Sequence, residues 1–366
     1  MNPLLRLHAL GQRVWLDNLS RTLVRENSLR TLINDDKVAG VTSNPSIFLK
    51  AISESPYYRE ELATLRRDPT LSAEARYESL AIADIREACD LLRPLHAATG
   101  GDDGYVSLEV SPALAHDADG TVAAGLRLKA AVDRDNLMIK VPATAAGLAA
   151  IETLIAAGCP VNVTLMFSLK HVEEVAAAYD RGIRRYIAGG GNPRLVKSVA
   201  SVFLSRIDTL VDGKLDTIGG EALALRGKTA VALARLAYER FQQRTRESEF
   251  KTLAATSGAR PQILLWASTG TKNPAYSDVL YVESVIGAET VNTLPDATLA
   301  AFRDHGKAEA TLTLDPEGAA RHVDAVEALG IDLTAAGEQL QAEGLRQFED
   351  AYAKLLQMTG DQSPPP

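Results

Sequence analysis

The chain has 366 residues, of which 46% are hydrophobic and 23% charged, the balance of a soluble globular protein whose core needs no disulfide staples. With 39 Lys and Arg against 47 Asp and Glu it carries a net charge of −8. That argues against nucleic acid as a partner, which calls for a basic face, but leaves room for small phosphorylated substrates held by a local pair of cations. Two cysteines, Cys89 and Cys159, and six scattered histidines make neither a disulfide framework nor a zinc set, so no metal or other cofactor is expected. The first ten residues mix Arg6 and His8 among apolar ones, unlike a signal peptide, and no run of 18 apolar residues occurs. A cytoplasmic protein with no membrane partner is the expectation.

Taken in chain order, short runs rich in Val, Ile and Leu predict strands at 14–17, 39–42, 105–110, 137–141, 161–166, 199–204, 263–268 and 290–294. Between them helical spacing predicts helices at 76–92, 121–131, 146–156, 169–187 and 227–245, with the stretch 297–359 helical after the last strand. Strands alternating with helices pair in parallel, and eight of them in one chain predict an α/β fold, a (β/α)8 TIM barrel with extra helices at the termini. An open doubly wound sheet would want a Gly-rich turn directly after an early strand. The Gly189-Gly190-Gly191 cluster instead follows a helix and precedes a strand, which puts it in a plain loop at the bottom of a barrel. Residues 1–360 read as one domain, and 361–366, ending in three prolines, as a disordered tail.

The strands carry a second pattern. Val14 and Leu16 alternate with Trp15 and Asp17; Val106, Leu108 and Val110 with Ser107 and Glu109; Leu137, Ile139 and Val141 with Met138 and Lys140; Val161, Val163 and Leu165 with Asn162 and Thr164. Strand period is two, so each set shares a face. Thr42 and Asn44 continue the pattern at the end of the second strand, and Asn292 is the candidate on the eighth. Parallel barrel strands are ordinarily apolar on both faces. Polar groups pointing inward near the C-terminal strand ends are where barrel active sites are built. Each residue alone has a plainer reading: Lys140 as a lysine reaching solvent, Asp17 and Glu109 as caps or loop acids, Asn44 as the start of an Asn-Pro turn. Their common face argues for a site.

Burial of an ammonium favours the neutral amine, the form that attacks a carbonyl carbon to give a Schiff base. One carboxylate can move protons at the carbinolamine, and a second can take the proton of a hydroxyl one carbon beyond the bond to be broken. Asp17 and Glu109, on different strands with Lys140 between them, fit that division of labour.

Two longer motifs sharpen the reading. Gly40-Val41-Thr42-Ser43-Asn44-Pro45-Ser46-Ile47-Phe48 resembles the N-terminal signature of the transaldolase family. Asn136-Leu137-Met138-Ile139-Lys140-Val141-Pro142-Ala143-Thr144, continuing to Gly147 and Leu148, resembles its active-site signature. Leu16-Asp17, Ser107-Leu108-Glu109-Val110 and Asn162-Val163-Thr164-Leu165-Met166-Phe167-Ser168 match in type and order, so the resemblance runs from Val14 to about Pro295. It implies Lys140 as the Schiff-base lysine, Glu109 relaying protons through a water held by Thr164, and Asp17 as the acid/base for cleavage. Asn44 and Asn162, with Thr42 beside them, would hold the hydroxyls of a dihydroxyacetone unit. Ser201 and Arg206 would contact phosphate. The substrates implied are phosphorylated ketoses and aldoses of the pentose phosphate pathway, and because dimers are common in the family a homodimer is an expectation too.

One departure stands out. The segment Trp266-Ala267-Ser268-Thr269-Gly270-Thr271-Lys272-Asn273 has no arginine where the family places a second phosphate contact. Lys272 is the candidate replacement, a point charge without the guanidinium fork; a solvated loop lysine is the alternative. Two rival functions remain. A fructose 6-phosphate aldolase of the same superfamily would release dihydroxyacetone, but those enzymes are much shorter and carry Gln where this chain has Glu109. A non-catalytic sugar-phosphate-binding barrel would have no use for a buried, unpaired lysine.

Overall fold

The computed structural model describes residues 2–247 and 249–360; the tail expected at 361–366 lies outside the described residues. Eight strands form a closed barrel in sequential order, every neighbouring pair parallel: β1 (Gln12–Leu16), β2 (Val38–Val41), β3 (Tyr105–Glu109), β4 (Leu137–Pro142), β5 (Val161–Met166), β6 (Ser198–Phe203), β7 (Ile263–Ala267) and β8 (Thr290–Leu294). All eight predicted strands are present, with ends displaced by at most two residues. Past the assigned ends the ladder goes on: Asp17 N–H donates to Leu294 O, Thr42 N–H to Leu16 O and Val110 N–H to Lys140 O. Residues predicted as strand ends therefore still sit in strand register.

After β2, β4 and β5 the return turn ends in a side chain that caps the following helix. Asn44 Oδ1 accepts the Ile47 N–H at 3.0 Å ahead of the helix Pro45–Glu54, whose first residue is a proline with no N–H to orphan. Thr144 caps Ala145–Ala156 through the Gly147 N–H, and Ser168 caps Leu169–Ala188 through the His171 N–H. Gly147 has a specific reason to be glycine: a Cβ there would lie 2.0 Å from the carbonyl oxygen of Pro142. Short capped turns of this kind keep the C-terminal strand ends close to the helix starts, at the end of a barrel where sites form. The apolar outer faces of the strands and the inner faces of the helices make one continuous buried core.

The Gly189–Gly191 segment lies in the loop that leads through the turn Pro193–Leu195 into β6, as expected. At that same lower end, Arg13 pairs with Asp103 at 2.8 Å and Lys197 with Asp102 at 3.2 Å. Cys89 and Cys159 are free and buried. The stretch after β8 is three helices, Asp296–His305, Pro316–Ala328 and Leu333–Gly360. The last of these runs back over the barrel mouth, packing against the helix Pro45–Glu54, the helix Ala73–Ala98 and β5. No helix among the described residues is long and apolar enough to cross a membrane.

Candidate active site

Register places the polar residues. Glu109 pairs with Lys140, Lys140 with Asn162, and Pro142 with Thr164 across β3, β4 and β5, so these side chains share the inner face. Lys140 is 5% exposed. Its Nζ is 3.1 Å from Glu109 Oε2 and donates to the backbone oxygen of Ser43 at the same distance. The lysine is thus buried but not unpaired, a correction to the sequence reading. Phe348, from the helix Leu333–Gly360, sets its ring centroid 5.6 Å from Nζ and roofs the amine on the open side. Burial pushes the Glu109 carboxyl above its ordinary range, and the neighbouring Lys140 only partly offsets it.

On the other side of the mouth, Thr42 Oγ1 donates to Asp17 Oδ1 at 2.7 Å and lies 2.8 Å from Thr293 Oγ1. With its proton committed to the carboxylate, Thr42 accepts from Thr293. Asp17 is pushed upward by burial, against the pull of that hydrogen bond and of the charge on Lys140. Asn162 is fully buried, its Nδ2 donating to Ser107 Oγ at 3.0 Å and its Oδ1 accepting from Ser201 Oγ at 2.7 Å. Thr164 Oγ1 is buried with no protein hydrogen-bond partner.

A cavity of about 160 Å³ collects these groups. Asp17, Thr42, Asn44, Lys140, Thr164, Ser201, Arg206 and Lys272 all line it; Glu109 and Asn162 lie behind the wall, against Lys140 and Ser201 respectively. Asn44 combines its two readings. Its Oδ1 caps a helix with one lone pair, which leaves the donors of its NH2 group for a ligand. A second, outer chamber of about 630 Å³ shares Arg206, Ser268 and Lys272 with the cavity and adds Lys214. Arg206 stands in the first turn of the helix Ser205–Ile218, where the positive end of the helix dipole also favours an anion. Its Nη1 is buried without a hydrogen-bond partner, and burial depresses the guanidinium below its ordinary value. Lys272 is exposed, on a loop tied back to that helix by the Tyr276 hydroxyl, which donates to Asp212 at 2.7 Å.

One candidate falls on the wrong face. Asn292 pairs with Val14 and Trp266, and its Nδ2 donates to Tyr281 O at 3.2 Å, outside the barrel. Thr293, one residue on, faces inward. In Thr-Val-Asn-Thr-Leu both alternating sets carry polar residues, so period two alone did not choose between them. Also missed were the Ser43 carbonyl, though Ser43 lies inside a signature, and Phe348, which sits more than 200 residues from Lys140 and has no local signal.

The model of the family described as Transaldolase/Fructose-6-phosphate aldolase matches residues 14–359, which takes the likeness through the helix that carries Phe348. Among similar proteins, the transaldolase of Thiobacillus denitrificans is 52% identical over 98% of this chain and all of its own length. That of Neisseria gonorrhoeae is 50% identical over 97% of this chain and 99% of its own. That of Frankia alni is 47% identical over 97% and 96%.

Proposed function

The chain belongs to the transaldolase/fructose-6-phosphate aldolase family, and we infer that it catalyses the transaldolase reaction, moving a dihydroxyacetone unit from a phosphorylated ketose to a phosphorylated aldose through a Schiff base on Lys140. The observation that carries this reading is the placement of Lys140: buried at the barrel mouth, 3.1 Å from Glu109, and on the wall of a cavity that also holds Asp17. Donors of the right chemistry are fructose 6-phosphate and sedoheptulose 7-phosphate, with erythrose 4-phosphate or glyceraldehyde 3-phosphate as acceptor.

The ion pair defines the first step. Glu109 takes a proton from the Lys140 ammonium, and the neutral amine adds to the ketose carbonyl. Glu109 then returns a proton as the carbinolamine loses water, acting through a water on the Thr164 hydroxyl. In the resulting protonated imine, Asp17 removes the proton of the hydroxyl one carbon beyond the scissile bond. That carbon–carbon bond breaks, its electron pair moves into the imine, and the aldose leaves. The three-carbon enamine stays on Lys140 until an acceptor arrives and the steps reverse. Arg206 and Lys272 hold the phosphate at the outer end of the cavity. They stand apart from the cation that does the chemistry, so phosphate binding and imine formation do not compete for one charge. Two expected roles change: Ser201, expected at the phosphate, is bonded to the Asn162 that neighbours Lys140, so it joins Asn44 in holding hydroxyls of the three-carbon unit, and Asn162, off the cavity wall, supports it from behind.

A cytoplasmic location and a homodimer belong to this reading and are checked by fractionation and sedimentation. The rival lyase differs only in releasing dihydroxyacetone; the Glu109 carboxylate and the full-length likeness to transaldolases favour transfer. The test is borohydride reduction in the presence of fructose 6-phosphate, followed by mass analysis of the peptide that contains Lys140. A reduced dihydroxyacetone adduct on Lys140, discharged when erythrose 4-phosphate is added before the reductant, is expected. No adduct on folded protein overturns the Schiff-base reading, and steady release of free dihydroxyacetone without acceptor replaces transferase with lyase.

A further inference from the structure

The helix Leu333–Gly360 does more than roof the cavity. Its Gln341 is buried, and one side-chain nitrogen, Nε2, donates to two backbone oxygens, Ala143 O and Leu165 O, each at 3.0 Å. The first lies three residues beyond Lys140, just past β4; the second lies in β5, one residue beyond Thr164.

Leu165 is not in ordinary strand conformation. Its φ is +59°, in the left-handed region that side chains rarely adopt, and the register of β5 against β6 shifts between Val163 and Met166. This is a bulge, the device by which a strand re-aims a side chain next to a site. The residue just before it is Thr164, whose buried hydroxyl faces the cavity without a protein partner. Neighbours of Gln341 on the same helix face allow the close approach that its two bonds need. A Cβ on Gly337 would sit 2.7 Å from Ser168 Cβ, and one on Gly344 would sit 2.9 Å from Leu165 Cδ2. Strained backbone persists only where its surroundings over-determine it; here the Ala143 N–H bonds Thr164 O at 2.9 Å, and one amide and two glycines of a distant helix close on the bulge from outside.

We propose that Gln341 is a positioning residue for the imine chemistry: it pins the Leu165 bulge and the end of β4 together, and so fixes the Thr164 hydroxyl relative to Lys140. The inference rests on Lys140 being the imine nucleophile. Gln341 has no hydrogen bond to Arg206 or Lys272, so its effect falls on the rate of imine formation and hydrolysis, not on phosphate binding.

Two variants test it. Gln341→Met keeps length and burial but removes both donated bonds. Gln341→Glu places a carboxyl against two carbonyl oxygens, repelling them when ionised and donating one proton when neutral. The readouts are kcat and KM with fructose 6-phosphate and erythrose 4-phosphate, competitive inhibition by inorganic phosphate, the rate of borohydride-trappable adduct formation, and Tm. In Gln341→Met, kcat and the trapping rate are expected to fall together by about tenfold to a hundredfold, the scale of a misplaced catalytic group. KM and phosphate inhibition should stay within about twofold. Activity of Gln341→Glu relative to the parent protein should rise as pH falls. A lowered Tm with unchanged kcat per folded molecule would make Gln341 a merely structural residue and overturn the proposal, as would a loss confined to KM and phosphate inhibition. If Gln341→Met does not fold, a pH profile of Gln341→Glu that matches the parent protein does the same. Failure of the parent protein to form any adduct is a different result: it removes the Schiff-base reading itself, whatever the variants do.

Discussion

Replacing Glu109 by Gln separates a catalytic carboxylate from a structural ion pair. Glu109 and Lys140 side chains are each only 6% exposed and 3.1 Å apart. If the pair held the fold together, breaking it would cost about 3–5 kcal/mol, because a buried charge would be left uncompensated. The direction of the Glu109 shift argues otherwise. Burial raises its pKa above the unfolded value more than Lys140 lowers it. The folded state therefore binds that proton more tightly than the unfolded chain does, and stability from this group falls as pH rises between the two values. Wherever it is ionised, the carboxylate is a burden to the fold. Gln removes that burden, keeps the volume, and leaves an oxygen that can accept from Lys140, which retains its bond to Ser43 O. The expected Tm change is below about 2 °C, since an unfolding entropy of about 2.1 cal/mol/K per residue makes a domain of this length move about 1.3 °C per kcal/mol. Proton transfer by a positioned carboxylate contributes about 10²–10⁴ in rate, or about 3–5 kcal/mol of barrier. The assay pairs thermal unfolding with steady-state turnover of fructose 6-phosphate and erythrose 4-phosphate, and with adduct trapping at timed intervals. Turnover down at least a hundredfold with Tm nearly unchanged is the expected outcome. A loss of about 4 °C or more in Tm, the equivalent of about 3 kcal/mol in a domain of this length, with kcat per folded molecule within tenfold of the parent, would refute the reasoning and make the pair structural.

Asp17→Asn should still form the borohydride-trapped imine but cleave the carbon–carbon bond about 10²–10⁴ times more slowly. In the parent protein, burial raises the Asp17 pKa, and the base must be ionised; cleavage is therefore expected to fall as pH falls through a value above the ordinary carboxylate range, a limb that a single-turnover pH profile of the variant should lack. Arg206→Ala and Lys272→Ala each remove a cation from the outer cavity, so KM for phosphorylated substrates should rise about tenfold to a hundredfold, the worth of one charge-assisted bond, with kcat little changed; an unchanged KM in Lys272→Ala returns that residue to solvated loop status. Gly147→Ala drives a methyl group to 2.0 Å from a backbone oxygen and should cost at least about 2 kcal/mol, read as a lower urea midpoint.

These tests probe residues of two kinds, and the sequence showed one kind far better than the other. Asp17, Glu109, Lys140 and Thr164 were legible because a strand of period two forces polar residues on alternate positions to one face, and four short strands repeated the pattern. The same logic was blind in β8, where Thr290, Asn292 and Thr293 put polar groups on both faces and only the pairing of Thr293 with Trp15 sets the direction. It was blind, too, to the state of Lys140: spacing puts Glu109 on the neighbouring strand but does not say that the two meet at 3.1 Å, so the lysine read as unpaired.

The helix Leu333–Gly360 was legible as a helix and illegible as part of the site. Phe348 and Gln341 belong to an amphipathic pattern in which a buried aromatic and a buried amide look like ordinary packing residues. Their meaning comes from where that helix docks, which depends on Gly337 and Gly344 letting it close onto Ser168 and Leu165. Local periodicity encodes which way a side chain points from its own element, whereas a roof over a barrel is a contact between elements some 200 residues apart. The left-handed backbone at Leu165 follows the same rule: nothing in Asn-Val-Thr-Leu-Met favours it locally. A conformation that its own sequence disfavours must be held from outside: the Ala143 N–H bonds Thr164 O on one side, and Gln341 bonds the Leu165 carbonyl on the other.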